Sequence, residues 1–233
     1  MIDFSKVGMV GDRLPGQLKF KRASQLRLGE NMRKRTNTAR LGIVSVLLLL
    51  FTSCWIPENF DTKITINKDG SYTFTYDGTL TFGPALAAAQ QGGLSAKDEA
   101  EFQKEGETLR REPGFKKVDY QGKGRYKVLF EKAGNRGGRF YFVSQELKFF
   151  AVLPQADRTI TVTAVRPSRE EMQQLNSIGA KIEGTLSVSV ANGVEVVRHN
   201  AESEPAFFGL IGAYKWQIKS PNADPVIVVK PPS

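Results

Sequence analysis

The chain has 233 residues, 40% of them apolar, and a formal net charge of +9, enough sequence for one substantial core or two small ones. Ten of the basic residues and three of the acidic ones fall in residues 1–53, leaving 23 basic against 21 acidic residues in 54–233, so the basicity belongs to the N-terminal segment. A nearly neutral body lacks the concentrated cations that nucleic-acid binding requires. One cysteine, Cys54, excludes an internal disulfide, and one histidine, His199, excludes two-histidine zinc sites; no metal and no cofactor is expected.

In chain order, the first distinctive stretch is "MRKRTNTARLGIVSVLLLLFTSCW", residues 32–55. Arg33, Lys34, Arg35 and Arg40 are followed by thirteen uncharged residues, Leu41 to Ser53. As a helix these would span about 20 Å, short of the roughly 30 Å hydrocarbon core. A basic segment, a short apolar run and small residues before a cysteine make the tripartite build of a secretory signal. The alternatives are a buried helix with a chance cysteine and an uncleaved membrane anchor.

The stretch resembles a bacterial lipoprotein signal peptide with its lipobox at Phe51, Thr52, Ser53 and Cys54. Phe51 stands where that pattern usually has Leu, Val or Ile. The resemblance implies that the Cys54 sulfur receives a diacylglycerol and that the chain is cut just before it. It implies a membrane partner and a cell-envelope address. Trp55, rather than aspartate, after the cysteine implies the outer membrane facing the periplasm if the organism is Gram-negative. The expected organisation is then a mis-assigned or disordered extension over 1–31, with translation starting at Met32, a signal peptide over 32–53, a tether over 54–60 and one domain over 61–230. An authentic extended basic region is the alternative for 1–31.

Past the tether, alternation predicts strands. Ile64 and Ile66, then Tyr72, Phe74 and Tyr76, flank Lys68-Asp69-Gly70, a strong hairpin signal. "GPALAAAQQGG" reads as a short helix or loop against a sheet. A helix follows Ser95, capped with Asp98 and closed by Arg110-Arg111 before Pro113-Gly114. Tyr126, Val128 and Phe130 share one face of a strand after Gly122-Lys123-Gly124. "GNRGGRF" is a turn without the Lys-Ser/Thr of a phosphate loop. Ile160, Val162 and Ala164 predict a strand after a bend at Ala156-Asp157-Arg158.

A second helix starts at Ser168, with Glu170 and Glu171 in its first turn, and ends at Gly179; Met172, Leu175 and Ile178 form its core stripe. Leu186, Val188 and Val190 lead to an Asn192-Gly193 turn, and strands over 214–218 and 226–229 complete the pattern. The fold class expected is α+β: a curved, mostly antiparallel β-sheet with two helices packed on one side, preceded by a signal peptide.

Candidate sites are few. Phe207, Phe208, Leu210 and Ile211, flanked by glycines, could form an apolar contact loop for a membrane or partner. Trp216 reads as core. His199 reads as a locally bonded turn histidine, because no nucleophile elbow accompanies it. Glu170-Glu171 belongs to a helix start, so no catalytic residue is assigned and the chain is not read as an enzyme.

"ITINKDGSYTFTY", "VANGVEVVRHNAE" and "AYKWQI" together resemble mycobacterial-type LppM-domain lipoproteins. That resemblance implies a curved sheet with helices around an apolar cavity and a role in binding glycolipid at the envelope. The function expected is a non-enzymatic, membrane-anchored envelope lipoprotein binding a lipid, a glycolipid or an envelope partner. The alternative is a structural or assembly lipoprotein that docks another envelope protein without a small ligand.

Overall fold

The structure is a computed structural model that describes residues 55–90, 92–143, 148–164, 168–206, 212–220 and 222–232. It begins with a hairpin of β1 (Trp55–Ile66) and β2 (Tyr72–Phe82). Its turn closes because the Gly70 N–H donates to the Asn67 carbonyl (2.9 Å), while the Asp69 carboxylate accepts from both the Ser71 N–H and hydroxyl. Gly70 sits at φ +81°, where a side chain would be strained.

Two helices follow, α1 (Gly83–Gln90) and α2 (Ala96–Arg110). In α2 the Ser95 hydroxyl accepts from the Asp98 N–H and the Asp98 carboxylate accepts from the Ser95 N–H, the reciprocal cap that the sequence predicts. Strands β3 (Phe115–Tyr120), β4 (Arg125–Gly134), β5 (Phe140–Val143), β6 (Lys148–Pro154) and β7 (Ile160–Ala164) then precede α3 (Arg169–Ser177). That helix carries the same kind of cap, Ser168 with Glu171. The chain ends in β8 (Gly184–Val190), β9 (Glu195–His199), β10 (Tyr214–Ile218) and β11 (Val226–Lys230).

The class is α+β, as expected, and the described strands divide between two sheets. One has six strands in the order β10-β8-β1-β2-β4-β3; the other has five, β5-β6-β7-β11-β9. Pairing is antiparallel except between β1 and β8, which run parallel. Three helices are described rather than two, since the Ala-rich segment settles as α1 with Ala85 and Leu86 buried.

Alternation supplies the core. On the six-stranded sheet Ile64, Phe74, Tyr76, Val128, Phe130, Leu186 and Val188 are buried, and on the five-stranded sheet Phe142, Phe150, Val162 and Ile227. The sheets meet through their rings: Phe74 lies 4.8 Å from Phe140 and 4.9 Å from Phe142, and Tyr76 lies 4.6 Å from Phe142. Such pairs add about 0.5–1.5 kcal/mol each beyond the area they bury. Phe60 joins them, stacked on Tyr76 at 5.8 Å. It fits only because residue 78 is glycine: a Cβ there would stand 2.6 Å from the Phe60 Cβ.

The expected tether over 54–60 is not what residues 55–60 form. They are the first half of β1, paired Trp55 with Phe82 and Ile56 with Thr81. Trp55 is 6% exposed, its ring 5.5 Å from Phe82 and 5.3 Å from Tyr126. A bulge between Glu58 and Asp61, with Asn59 at φ +47°, shifts the register and breaks the alternation by which a strand is recognised.

Candidate functional site

Cys54 and the lipobox residues Phe51, Thr52 and Ser53 lie outside the described residues, which begin with the neighbour of the cysteine. That neighbour is fixed. Beneath Trp55, Phe82 packs against Phe102 of α2 at 5.8 Å, and the Tyr126 hydroxyl donates to the Phe102 carbonyl at 2.8 Å. The Phe82 N–H donates to the Gly124 carbonyl (2.8 Å), which brings the β3–β4 turn beside Trp55. Glu99 of α2 ties that turn down: its carboxylate accepts from the Lys123 N–H and from the Tyr120 hydroxyl. Burial, reinforced by that carboxylate, pushes the Tyr120 phenol up to about 12.

On the opposite face of β1 sits a group that the sequence reading missed. Glu58 is 4% exposed, and its carboxylate accepts from the Thr81 hydroxyl (2.7 Å) and from Arg125 Nε (3.0 Å). A carboxylate this deep has its oxygen satisfied because both partners reach it. The only trace of it in the sequence is a carboxylate inside the apolar run "WIPENF".

The candidate loop residues Phe207, Phe208, Leu210 and Ile211 also lie outside the described residues. The chain on either side is held: the Lys215 N–H donates to the Ser203 carbonyl (2.9 Å), and Gly212 approaches Pro205. Beside that neck, the His199 ring lies 4.7 Å from Tyr214. His199 Nδ1 accepts from the Ala201 N–H (3.2 Å), leaving Nε2 as the N–H nitrogen, 3.7 Å from Glu204 Oε1. Nδ1 is bonded within two residues of chain, which is the local role expected. Burial, with the Glu204 charge, raises the Tyr214 phenol above its ordinary range.

The adjacent Asn200 joins the two sheets, a role that sequence reasoning also missed. Its Oδ1 accepts from Trp216 Nε1 (2.9 Å) in β10 and from the Val226 N–H (2.8 Å) in β11, and its Nδ2 donates to the Asp224 carbonyl (2.8 Å). Trp216 is core, 4% exposed, with its indole N–H satisfied. Glu171 caps α3, as a helix-start carboxylate should. Among the described residues no three His, Cys, Asp or Glu side chains gather as metal ligands. No helix among them is long and apolar enough to cross a membrane.

These parts define a two-sheet α+β module whose first strand starts one residue after the cysteine. Comparison with known protein families finds no match, and comparison with curated proteins finds none. Among solved structures the chain is similar to the folded domain of the Mycobacterium tuberculosis LppM protein, determined by NMR. Identity is 10% and the TM-score 0.34, over 77% of this chain and 94% of that one. Likeness at this level carries no argument about function.

Proposed function

We propose that the protein is a non-enzymatic envelope lipoprotein, anchored through lipid on Cys54, whose folded body engages an envelope partner through its surface. The supporting observation is the junction at Cys54-Trp55: a signal-like apolar run ends at the cysteine, and the folded domain starts at the next residue. A thiol between them serves as a chemical handle. Two or three acyl chains on it would hold the body to a membrane, where one chain binds only marginally. In a Gram-negative cell Trp55 at this position favours the outer membrane, facing the periplasm.

Engagement through the surface is favoured by the aromatic contacts between the sheets. Rings from both sheets occupy the space that an acyl chain would take there. This supports docking of an envelope protein or a lipid headgroup over burial of a lipid tail between the sheets. The residues Phe207, Phe208, Leu210 and Ile211 remain candidate contacts on the sequence argument.

Intact mass of the full chain expressed in a bacterial host tests the anchor. A species beginning at Cys54 and carrying a diacylglyceryl group is expected in the membrane fraction, with Cys54→Ser leaving an unprocessed, unlipidated chain. Recovery of the wild type with a free thiol and with residues 32–53 still attached would overturn the reading.

A further inference from the structure

The edge strands of the two described sheets are β10 and β3, and β5 and β9. An edge strand offers main-chain groups to which another chain can add a strand. Three of these edges carry obstacles that are plain in the hydrogen bonding. Beside β10, the Lys215 N–H donates to the Ser203 carbonyl (2.9 Å), and the Lys215 carbonyl accepts from the N–H groups of Glu202 (3.0 Å) and Ser203 (3.3 Å). In β3 the register shifts at Lys116, and Arg110 of α2 donates to the Val118 carbonyl (2.6 Å). Strand β5 is only four residues long, and its pairing shifts where Phe149 of β6 is extra.

On β9 the obstacle is a single residue. Val228 and Val229 of β11 are consecutive, yet they face Arg198 and Val196, so Val197 is an extra residue in the edge strand. It is 49% exposed, the one large apolar side chain standing exposed among the described residues. Its effect shows in the faces of the strand. Residues three apart in a regular strand point to opposite sides. Here Glu195 and Arg198 are both exposed, while Val196 and His199, opposite the buried Val229 and Ile227, are half-buried.

We propose that Val197 keeps β9 from pairing with the β9 of a second copy, and that without it this edge joins two copies. The reason lies in the strand's own sequence. With Val197 removed, Glu195, Val196 and Arg198 become consecutive, and Glu195 and Arg198 flank Val196 on the exposed face. An identical strand laid antiparallel about Val196 sets each Glu195 opposite the other copy's Arg198. That gives two opposite-charge pairs in a register that a regular ladder accepts. With Val197 in place the bulge bows β9 and turns its outer main-chain groups out of line, so the same charges do not fall opposite each other on an unbroken ladder. With all four edges obstructed, a partner is met by side chains rather than by strand addition. This role depends on the fold alone and not on an anchor at Cys54.

The test compares the full chain with a variant lacking Val197, both in detergent micelles, by amide hydrogen exchange across β9 at about 10 μM and about 500 μM. Circular dichroism checks that each is folded. Wild-type exchange is expected to be the same at both concentrations. In the deletion variant, β9 exchange is expected to slow roughly threefold or more at the higher concentration. Adding Glu195→Arg, which sets like charges opposite each other, is expected to remove that slowing. Concentration-dependent protection of β9 in the wild type overturns the guard. A folded deletion variant with no slowing overturns the pairing, and slowing that survives Glu195→Arg overturns its register. A deletion variant that does not fold also overturns the proposal, because an exposed residue outside the regular ladder is then needed by the fold itself.

Discussion

Replacing Asn200 by alanine removes three hydrogen bonds that cross between β10, β11 and the loop before β11. The Trp216 indole loses most. At 4% exposure its N–H has little access to water, and an unpaired buried donor costs about 1–3 kcal/mol. The Val226 N–H and the Asp224 carbonyl lie at the exposed rim, where water replaces much of the loss, about 0.5 kcal/mol each. The expected destabilisation is about 2–4 kcal/mol, read by urea unfolding with tryptophan fluorescence and circular dichroism in parallel. A cycle with Trp216→Phe separates the indole bond from the rest. Trp216→Phe removes the stranded donor, so the double variant should be less destabilised than the two single losses summed, by about 1 kcal/mol or more. If Asn200→Ala stays within 0.5 kcal/mol of wild type, or the cycle is additive, the sheets are joined by aromatic packing alone and the reasoning fails.

Gly124→Ala puts a Cβ 2.3 Å from that of Ala85 at φ +69°, so α1 must shift; a loss of about 2 kcal/mol or more is expected in thermal unfolding, and an unchanged midpoint would show that the turn relaxes freely. The Thr62 hydroxyl is buried without a hydrogen-bond partner, so Thr62→Val should raise stability by about 1 kcal/mol in the same denaturant assay, whereas a loss of that size would reveal a bound water. Burial raises the Tyr72 phenol to about 12, and Tyr120 likewise, from an unfolded value near 10. The unfolded chain therefore gives up these protons first: their contribution is intact below about pH 10 and is lost as the pH rises through 12. Tyrosinate absorbance followed against pH should show these two phenols ionising near 12 or with unfolding, and full ionisation of every tyrosine at pH 10.5 in folded protein would contradict it.

Local signals were legible in the sequence. Asp69-Gly70, Asn192-Gly193 and both serine caps act within four residues, and each appears where the pattern places it. The same holds for the alternating strands Ile64–Ile66, Tyr72–Tyr76 and Tyr126–Phe130, whose period of two needs only one covered face. The start of β1 was hidden by its own bulge, which reverses the side that each residue faces.

The sequence by itself determined the α+β class, the turns and helix ends, and the placing of a basic, apolar and cysteine-bearing run ahead of the folded body. Those features depend on neighbours along the chain, and the chain fixes its neighbours covalently. Only the tertiary structure decided that the strands form two sheets, that Glu58 meets Arg125 sixty-seven residues away, and that Asn200 spans from Trp216 to Val226. It also decided that no free chain separates Trp55 from the core. Contacts of that range are chosen by which apolar faces can be buried together, a property of the whole assembled core that no stretch of sequence carries on its own.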